Sequence, residues 1–519
     1  MRVHRVGLTV LMATIFVGSV LFASTAGATD NSSLGTASAK PVNGGNLVVE
    51  VNATWLSLDP DSPRGITIPL PVFQTLFTQE SNNAITSDLA LSYKFTNAGL
   101  TFVMTLRKGV SYQDGTPFNA QSAVFDLQRS FAAGTDCDGY VNGAVSNVVA
   151  TGPYTVALTL TRRDAALPYV LANQYCGYMM SPTSVSTYGA TVALHPVGTG
   201  PFVYASGVAG NTAILNRWSG YWGPKAHLAS VTIEATPVEA SEWTNLQSGQ
   251  ADVWSVADGV TYASQSKAAG FNVVRTAAAS NNYLEISTTT APFNNILARK
   301  AVIEAINVKT ILKNVFQSEV TPVAGGPLPP AMLGFQKVVP GAVSYNPAGA
   351  EKLVQELGGS LTFTLAYMSG SSLLALLVTV EQQMLNAIPG MHVTLLPQTS
   401  AIFLQQEFTH SYQLQQTIGG STNGDPDLLF ATRFFSTAPD NEFGLMNSTV
   451  DKYIIQGEAI YNTAARAKIY QKLNDYLATK ILCQDQIGSN PEFYISLKSV
   501  HNYTPNPYGW FDWSSVWMS

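Results

Sequence analysis

Thr101-Phe102-Val103-Met104-Thr105-Leu106-Arg107-Lys108-Gly109-Val110-Ser111-Tyr112-Gln113-Asp114-Gly115-Thr116-Pro117-Phe118-Asn119-Ala120 spells out a change of structure every few residues. The first six alternate, with Phe102, Met104 and Leu106 on one side and Thr101, Val103 and Thr105 on the other, as a half-buried strand requires. Arg107-Lys108-Gly109 turns the chain. A second short strand meets the turn pair Asp114-Gly115, and Pro117 ends it before Asn119, whose side chain suits a helix N-cap. Behind that cap Ala120, Val124, Leu127 and Phe131 recur at spacings of four, three and four, which is one helix face. Residues 101–131 therefore read as strand, turn, strand, turn, helix.

A second region follows a different grammar. The strand 361–367 leads to a helix 372–388, interrupted by Glu381, Gln382 and Gln383 and stopped by Pro389-Gly390. A strand 392–396, a helix 400–408 and a strand 412–418 follow. Strands joined through crossover helices pair in parallel, so this is a βαβαβ unit. Ligands of open sheets sit beyond the carboxyl ends of the strands. That marks three loops, 368–371, 397–399 and 419–427, although each also reads as a plain connection.

Toward the N-terminus, Arg2 and Arg5 precede an apolar run from Val6 to Phe22 and the small residues Ala26-Gly27-Ala28. That is the layout of a secretory signal peptide over 1–28, and a retained anchor is the alternative. An exported protein, periplasmic or on the cell surface, is expected. No cysteine follows the run, so an N-terminal lipid anchor has no attachment point. Residues 29–43 form a Ser/Ala/Thr/Gly-rich linker, and the folded part begins with a strand 46–51. Cleavage removes two arginines and no acid, taking the net charge from −6 to −8. An acidic chain without a basic tract is a poor nucleic-acid binder.

The body is long enough for two or three domains, with 46% apolar residues but only 12% charged, about half the ordinary share. Neutral polar groups must cover much of the surface. Cys137, Cys176 and Cys483 have no metal-ligand spacing. Either Cys137 and Cys176 pair in an oxidising compartment, leaving Cys483 free, or all three are small buried residues. No metal or cofactor is expected. Six scattered histidines form no ligand pair, and Gly-x-Ser-x-Gly, His-Glu-x-x-His and Walker motifs are absent. Ser264 to Lys267 matches Ser-x-x-Lys without its companion motifs. An exported hydrolase using paired carboxylates is the rival class.

The residues carry a family resemblance. Leu89-Ala90-Leu91-Ser92-Tyr93, continued by Leu106 to Ala120, resembles the signature of bacterial extracellular solute-binding proteins of the peptide and nickel transport family, family 5. Val197-Gly198-Thr199-Gly200-Pro201-Phe202, Asn216-Arg217 with Tyr221-Trp222-Gly223, and Leu246 to Val253 are similar to further elements in the family's order. So are Pro292 to Asn295 with Arg299-Lys300-Ala301 and Ala305-Ile306-Asn307, and the late loop Gly424-Asp425-Pro426-Asp427. Locally, Gly249 is placed to close a helix that starts near Glu239, and Ala301, Ala305, Val308, Leu312 and Val315 read as the core stripe of one helix.

The resemblance implies an α/β, two-lobed periplasmic-binding-protein-like fold (type II, cluster C) with a subdomain inserted in lobe I. Its pieces are expected at 44–75 (lobe I), 76–185 (insertion), 186–282 (lobe I), 283–488 (lobe II) and 489–519, the last returning Trp510, Trp513 and Trp517 to lobe I. It also implies a monomeric receptor, not an enzyme, that passes an oligopeptide, oligosaccharide or metal chelate to the permease of an ABC importer. A receptor presenting its ligand to a sensor is the further alternative. Dipeptide binders of the family carry an aspartate where this chain has Thr422, and a neutral hydroxyl gives an ammonium no charge-assisted partner. Asp425 and Asp427 are candidate replacements, or turn-formers beside Pro426. Trp55, Tyr283 and Tyr367 are candidate aromatic walls, with core packing as the plainer reading. Arg64 and Arg433 are candidate carboxylate partners, and Gly420 lies in the pocket loop.

Overall fold

The computed structural model describes residues 40–519, apart from 52–54, 56, 63–69, 133, 142, 237, 258, 324, 421–422 and 439–440. The expected signal peptide and most of the linker lie outside the described residues. Asn119 caps the helix Ala120–Ser130 as its chemistry dictates. Its Oδ1 accepts from Gln121 N at 2.9 Å and Ser122 N at 3.2 Å, while Ser122 Oγ accepts from Asn119 N at 3.0 Å. The buried face of that helix centres on Ala123 and Leu127 with Asp126 and Ser130, so Val124 and Phe131 sit at its margin, half-buried. Asp126 is tolerated inside because Tyr112 OH and Met180 N donate to it.

The strand Thr101–Leu106 buries Phe102, Met104 and Leu106 and pairs antiparallel with Ala90–Thr96 on one side and Thr155–Leu160 on the other. Val145–Gly152 completes a four-stranded sheet. Its core is stapled by a disulfide between Cys137 and Cys176, which ties the helix Asp136–Val141 to the turn Gln174–Gly177. Cys483 is free and buried elsewhere.

Seven strands form the first lobe's sheet, in the order Asn272–Arg275, Phe493–Ser496, Val253–Ala257, Asn46–Val51, Ser230–Ala235, Thr212–Arg217, Phe202–Val208. Gly198 and Gly200 approach the backbone carbonyls of Val72 and Pro71 so closely that a Cβ at either would collide. Gln113 from the signature sews this junction, donating to Phe202 O at 2.7 Å and accepting from Gly198 N at 3.1 Å. Gly249 takes φ 74° behind the helix Glu239–Ser248. Trp510 and Trp513 pack on this lobe's core, and Trp517 is buried with its ring stacked on His501.

The second lobe's sheet runs Met391–Gln398, Leu361–Met368, Leu414–Gly420, Ser280–Ile286, Gln484–Asn490. Leu361–Met368 pairs in parallel with both Met391–Gln398 and Leu414–Gly420 through the helices Ser372–Asn386 and Ser400–Phe408. The last strand starts two residues later than its apolar run suggests. Tyr412 is drawn out of the ladder to donate from its hydroxyl to Glu285 at 2.7 Å. The single helix expected from Ala301 to Val315 is two, Ile296–Ala305 and Val308–Asn314. Asn307 breaks it by capping the second, accepting from Thr310 N at 3.2 Å, although Ile311, Leu312 and Val315 remain buried.

Two chain crossings join the lobes, from Arg275 to Ser280 and from Asn490 to Phe493, a few residues from the expected limits at 282 and 488. They are fastened to each other. Thr276 N donates to Glu492 O at 3.0 Å, and Glu492 N donates to Thr276 Oγ1 at 3.3 Å. Paired crossings of this kind, joining the sheets of the two lobes, are the geometry of a hinge.

Candidate functional site

Across the cleft the lobes meet through polar contacts that single out the late loop. Gly424 N donates to Gln79 Oε1 at 3.2 Å and Asn423 Nδ2 to Tyr169 O at 3.3 Å. Leu428, from the helix Pro426–Arg433, enters the core of the inserted subdomain. Arg162 of the subdomain grips Glu458 of the second lobe with its Nη2 at 3.0 Å from Oε1.

Between these contacts lies a cavity of about 260 Å³. Met368 and Thr417-Ile418 bring the carboxyl ends of two parallel strands to it, and Phe403, Leu404 and Phe408 bring one crossover helix. That is the position at which open parallel sheets bind ligands. Tyr140, on the disulfide-stapled helix, closes it from the subdomain side. Its polar end is Glu407, Arg433 and Glu442.

Those charges belong to a larger buried group. Glu285, Glu407 and Glu442 each place a carboxylate oxygen within 4.8 Å of the others. Arg433 is the cation among them: its Nε stands 3.2 Å from Glu442 Oε1 and its Nη1 donates to Tyr283 OH at 2.9 Å. Burial, reinforced by Glu407 and Glu442, pushes the Glu285 carboxyl well above its ordinary range. Tyr412 and Gln415 hydrogen-bond its two oxygens. Glu407 and Glu442 stand with Glu285 around the Arg433 guanidinium, so the polar end of the cavity is rich in carboxylate oxygen. Oxygen ligands of this kind suit hard cations, but the Arg433 guanidinium already fills the cationic role beside Glu442.

The expected site residues distribute unevenly around this centre. Tyr283 and Arg433 are brought together. Gly419 lies against both, where any Cβ would strike them, and Gly420 ends the strand paired with Ser280. Tyr367 is half-buried and packs on the second lobe's core, and Trp55 is 1% exposed within the first lobe's core, so Trp55 is not a ligand wall. Asp425 is a structural residue. It caps the helix Pro426–Arg433 by accepting from Asp427 N at 2.9 Å, and it pairs with the buried Arg466. Asp427 accepts from Tyr470 OH at 2.5 Å, so neither aspartate replaces the missing carboxylate at 422. Arg64 and Thr422 lie outside the described residues.

Sequence reasoning passed over Glu285, Glu407, Glu442 and Tyr140. A signal existed for two of them: Glu285 stands two residues from Tyr283 on the same face of a strand, and Glu407 is the lone acid of an apolar helix.

The architecture is that of a two-lobed receptor, and the sequence agrees. The profile of the bacterial extracellular solute-binding proteins, family 5 (Middle), matches residues 84–441, and the chain belongs to that family. The glutathione-binding protein GsiB of Escherichia coli O1:K1 is 26% identical over 491 residues, 92% of this chain and 91% of that protein. Among solved structures, the periplasmic binding protein DppA of Helicobacter pylori, in complex with the peptide STSA, superposes with a TM-score of 0.81 at 20% identity, covering 92% of this chain and 98% of that one. NikA of Staphylococcus aureus, with Ni(L-His)2, gives 0.80 at 18% identity over 91% and 100%. The chain is an extracytoplasmic solute-binding protein of import. No described helix is long and apolar enough to cross a membrane.

Proposed function

We propose that the solute of this receptor is a short peptide-like molecule bearing an ammonium group, held in the cavity between the lobes with that group toward Glu407 and Glu442. The observation that carries the reading is the gathering of three carboxyl groups, Glu285, Glu407 and Glu442, within 4.8 Å of one another beside the Arg433 guanidinium at the polar end. The apolar wall of Phe403, Leu404, Phe408 and Ile418 suits a side chain or a methylene run. Peptide-binding relatives of full length support the class. In this account the charge absent at Thr422 is supplied from the second lobe.

A solute touching Tyr140 on one side and Glu407 on the other favours the shut form because it contacts both halves. The loaded protein would then be recognised by the permease of an ABC importer. The test is calorimetry of the wild type and Glu407→Gln against glutathione, the dipeptide Met-Leu, the peptide STSA and Ni(L-His)2. Binding of an ammonium-bearing peptide that weakens in the variant is expected. Binding of the nickel chelate alone, or peptide affinity unaffected by Glu407→Gln, overturns the reading.

A further inference from the structure

A second cavity, of about 510 Å³, lies entirely outside the second lobe. It is enclosed by residues 70–88 at the base of the inserted subdomain, by Tyr178, Pro201 and Tyr221, and by the C-terminal segment 504–515. Its walls are rings: Phe73, Tyr178, Tyr221, Trp510, Phe511 and Trp513 all line it. Five of them pack in two groups, with centroids 5.4 Å apart for Phe73 and Tyr178, 6.2 Å for Tyr178 and Trp510, and 4.5 Å for Phe511 and Trp513. The aromatic surface is therefore already assembled.

The charges lining it are of one sign. Glu80, Asp88 and Asp512 contribute carboxylates, and among the described residues no Lys, Arg or His lines the cavity. Asp88 is the deepest. Its Oδ1 accepts from Gln74 Nε2 at 2.8 Å, and among the described residues no hydrogen bond reaches Oδ2. Gln74 is held in turn, donating to Tyr221 OH at 3.1 Å and accepting from Trp222 Nε1 at 2.9 Å. The nearest cation, Arg107, is committed elsewhere. Its Nε donates to the Asp88 backbone carbonyl at 3.0 Å and its guanidinium lies 4.6 Å above the Trp222 ring.

Ring faces carry negative charge density and attract cations, most strongly where water is excluded. We propose that this cavity is a second binding site, for a small organic ammonium ion on an apolar body, with the rings enclosing it and Asp88 as its counter-charge. The interlobe site is a separate structure: no residue from 283 to 488 lines this one. The neighbourhood of Asp88 agrees with the assignment. Burial pushes its carboxyl up to about 7, Asp512 adds to that and Arg107 opposes it, and the Tyr221 phenol beside it is also held neutral. A bound ammonium would draw the proton off, so binding strengthens as pH rises through 7.

The probe is phenethylammonium, with phenethyl alcohol as its neutral counterpart, titrated into the full chain while the emission of Trp510 and Trp513 is followed. Saturable quenching by the amine at pH 8 is expected, with the alcohol at least about tenfold weaker. Asp88→Asn, which keeps an acceptor for Gln74, should abolish that preference. Trp513→Leu should weaken the amine whether or not Asp88→Asn folds. Glu407→Gln should leave amine binding intact, which separates this result from any failure at the interlobe cavity. Equal binding of amine and alcohol, no saturable amine binding, or loss of it in Glu407→Gln would overturn the assignment.

Discussion

The two cavities handle buried acid in opposite ways. Between the lobes, Glu442 has Arg433 against it, and burial pushes Glu285 toward its protonated form among hydrogen-bond donors. At the base of the inserted subdomain, Asp88 faces aromatic rings with one amide as partner, and its nearest cation is turned onto a neighbouring indole. The first arrangement is preorganised by its own cation. The second leaves the neutralising step to whatever enters. Removing a charge should therefore cost stability in one place and add it in the other.

The largest effect is expected from Arg433→Met. Taking the cation from Glu442 and the donor from Tyr283 leaves buried groups uncompensated, and chemical denaturation should show a loss of about 3–5 kcal/mol. Next comes the wall that Tyr140 supplies. Replacing Cys137 and Cys176 by serine opens a loop closed over 39 residues and should cost about 2–4 kcal/mol, with cleavage by added protease concentrated in the subdomain. Glu407→Gln should barely change the melting temperature but weaken the peptide solute by about 10- to 100-fold, the range for one hydrogen bond to a charged group.

The smallest effect has the opposite sign. The folded Asp88 carboxyl titrates near 7, above the 3.8 of an ordinary aspartate. The folded state thus binds the proton more tightly than the unfolded chain. Its relative stability is full below about pH 4 and is lost as pH rises through 7. Asp88→Asn should therefore raise stability by about 1 kcal/mol at pH 8, less than the whole shift because the group keeps some exposure, and change little at pH 4. A loss at pH 8 would mean that Asp88 is already paired, and the contrast between the cavities would collapse.

The fold was readable where local chemistry is self-sufficient. The period-two run at 101–106, the Asn119 cap and the crossovers from 361 to 420 each specify an element from adjacent residues, and each element is there. Reading failed where a distant partner decides. Asn307 ends a helix whose apolar stripe continues past it, and Tyr412 leaves its strand for a glutamate more than a hundred residues away. The site was harder for the same reason. Trp55 and Asp425 have the right chemistry for a ligand, yet one is consumed by the core and the other by Arg466, a partner that spacing does not announce. Glu442 and Arg433 lie close in sequence, but Glu285 and Glu407 join them only through the sheet. The hinge pair Thr276 and Glu492 is equally invisible to local pattern.

What the protein carries from the cell decides whether the interlobe cavity holds an ammonium-bearing solute. Wild type and Glu407→Gln would be purified without added solute, denatured, and the released small molecules weighed by mass spectrometry. An ammonium-bearing, peptide-like compound in near-equal amount to the wild-type protein, and depleted from the variant, is expected. Release of the same compound in equal yield from both, or of a solute without a cationic group, would contradict it.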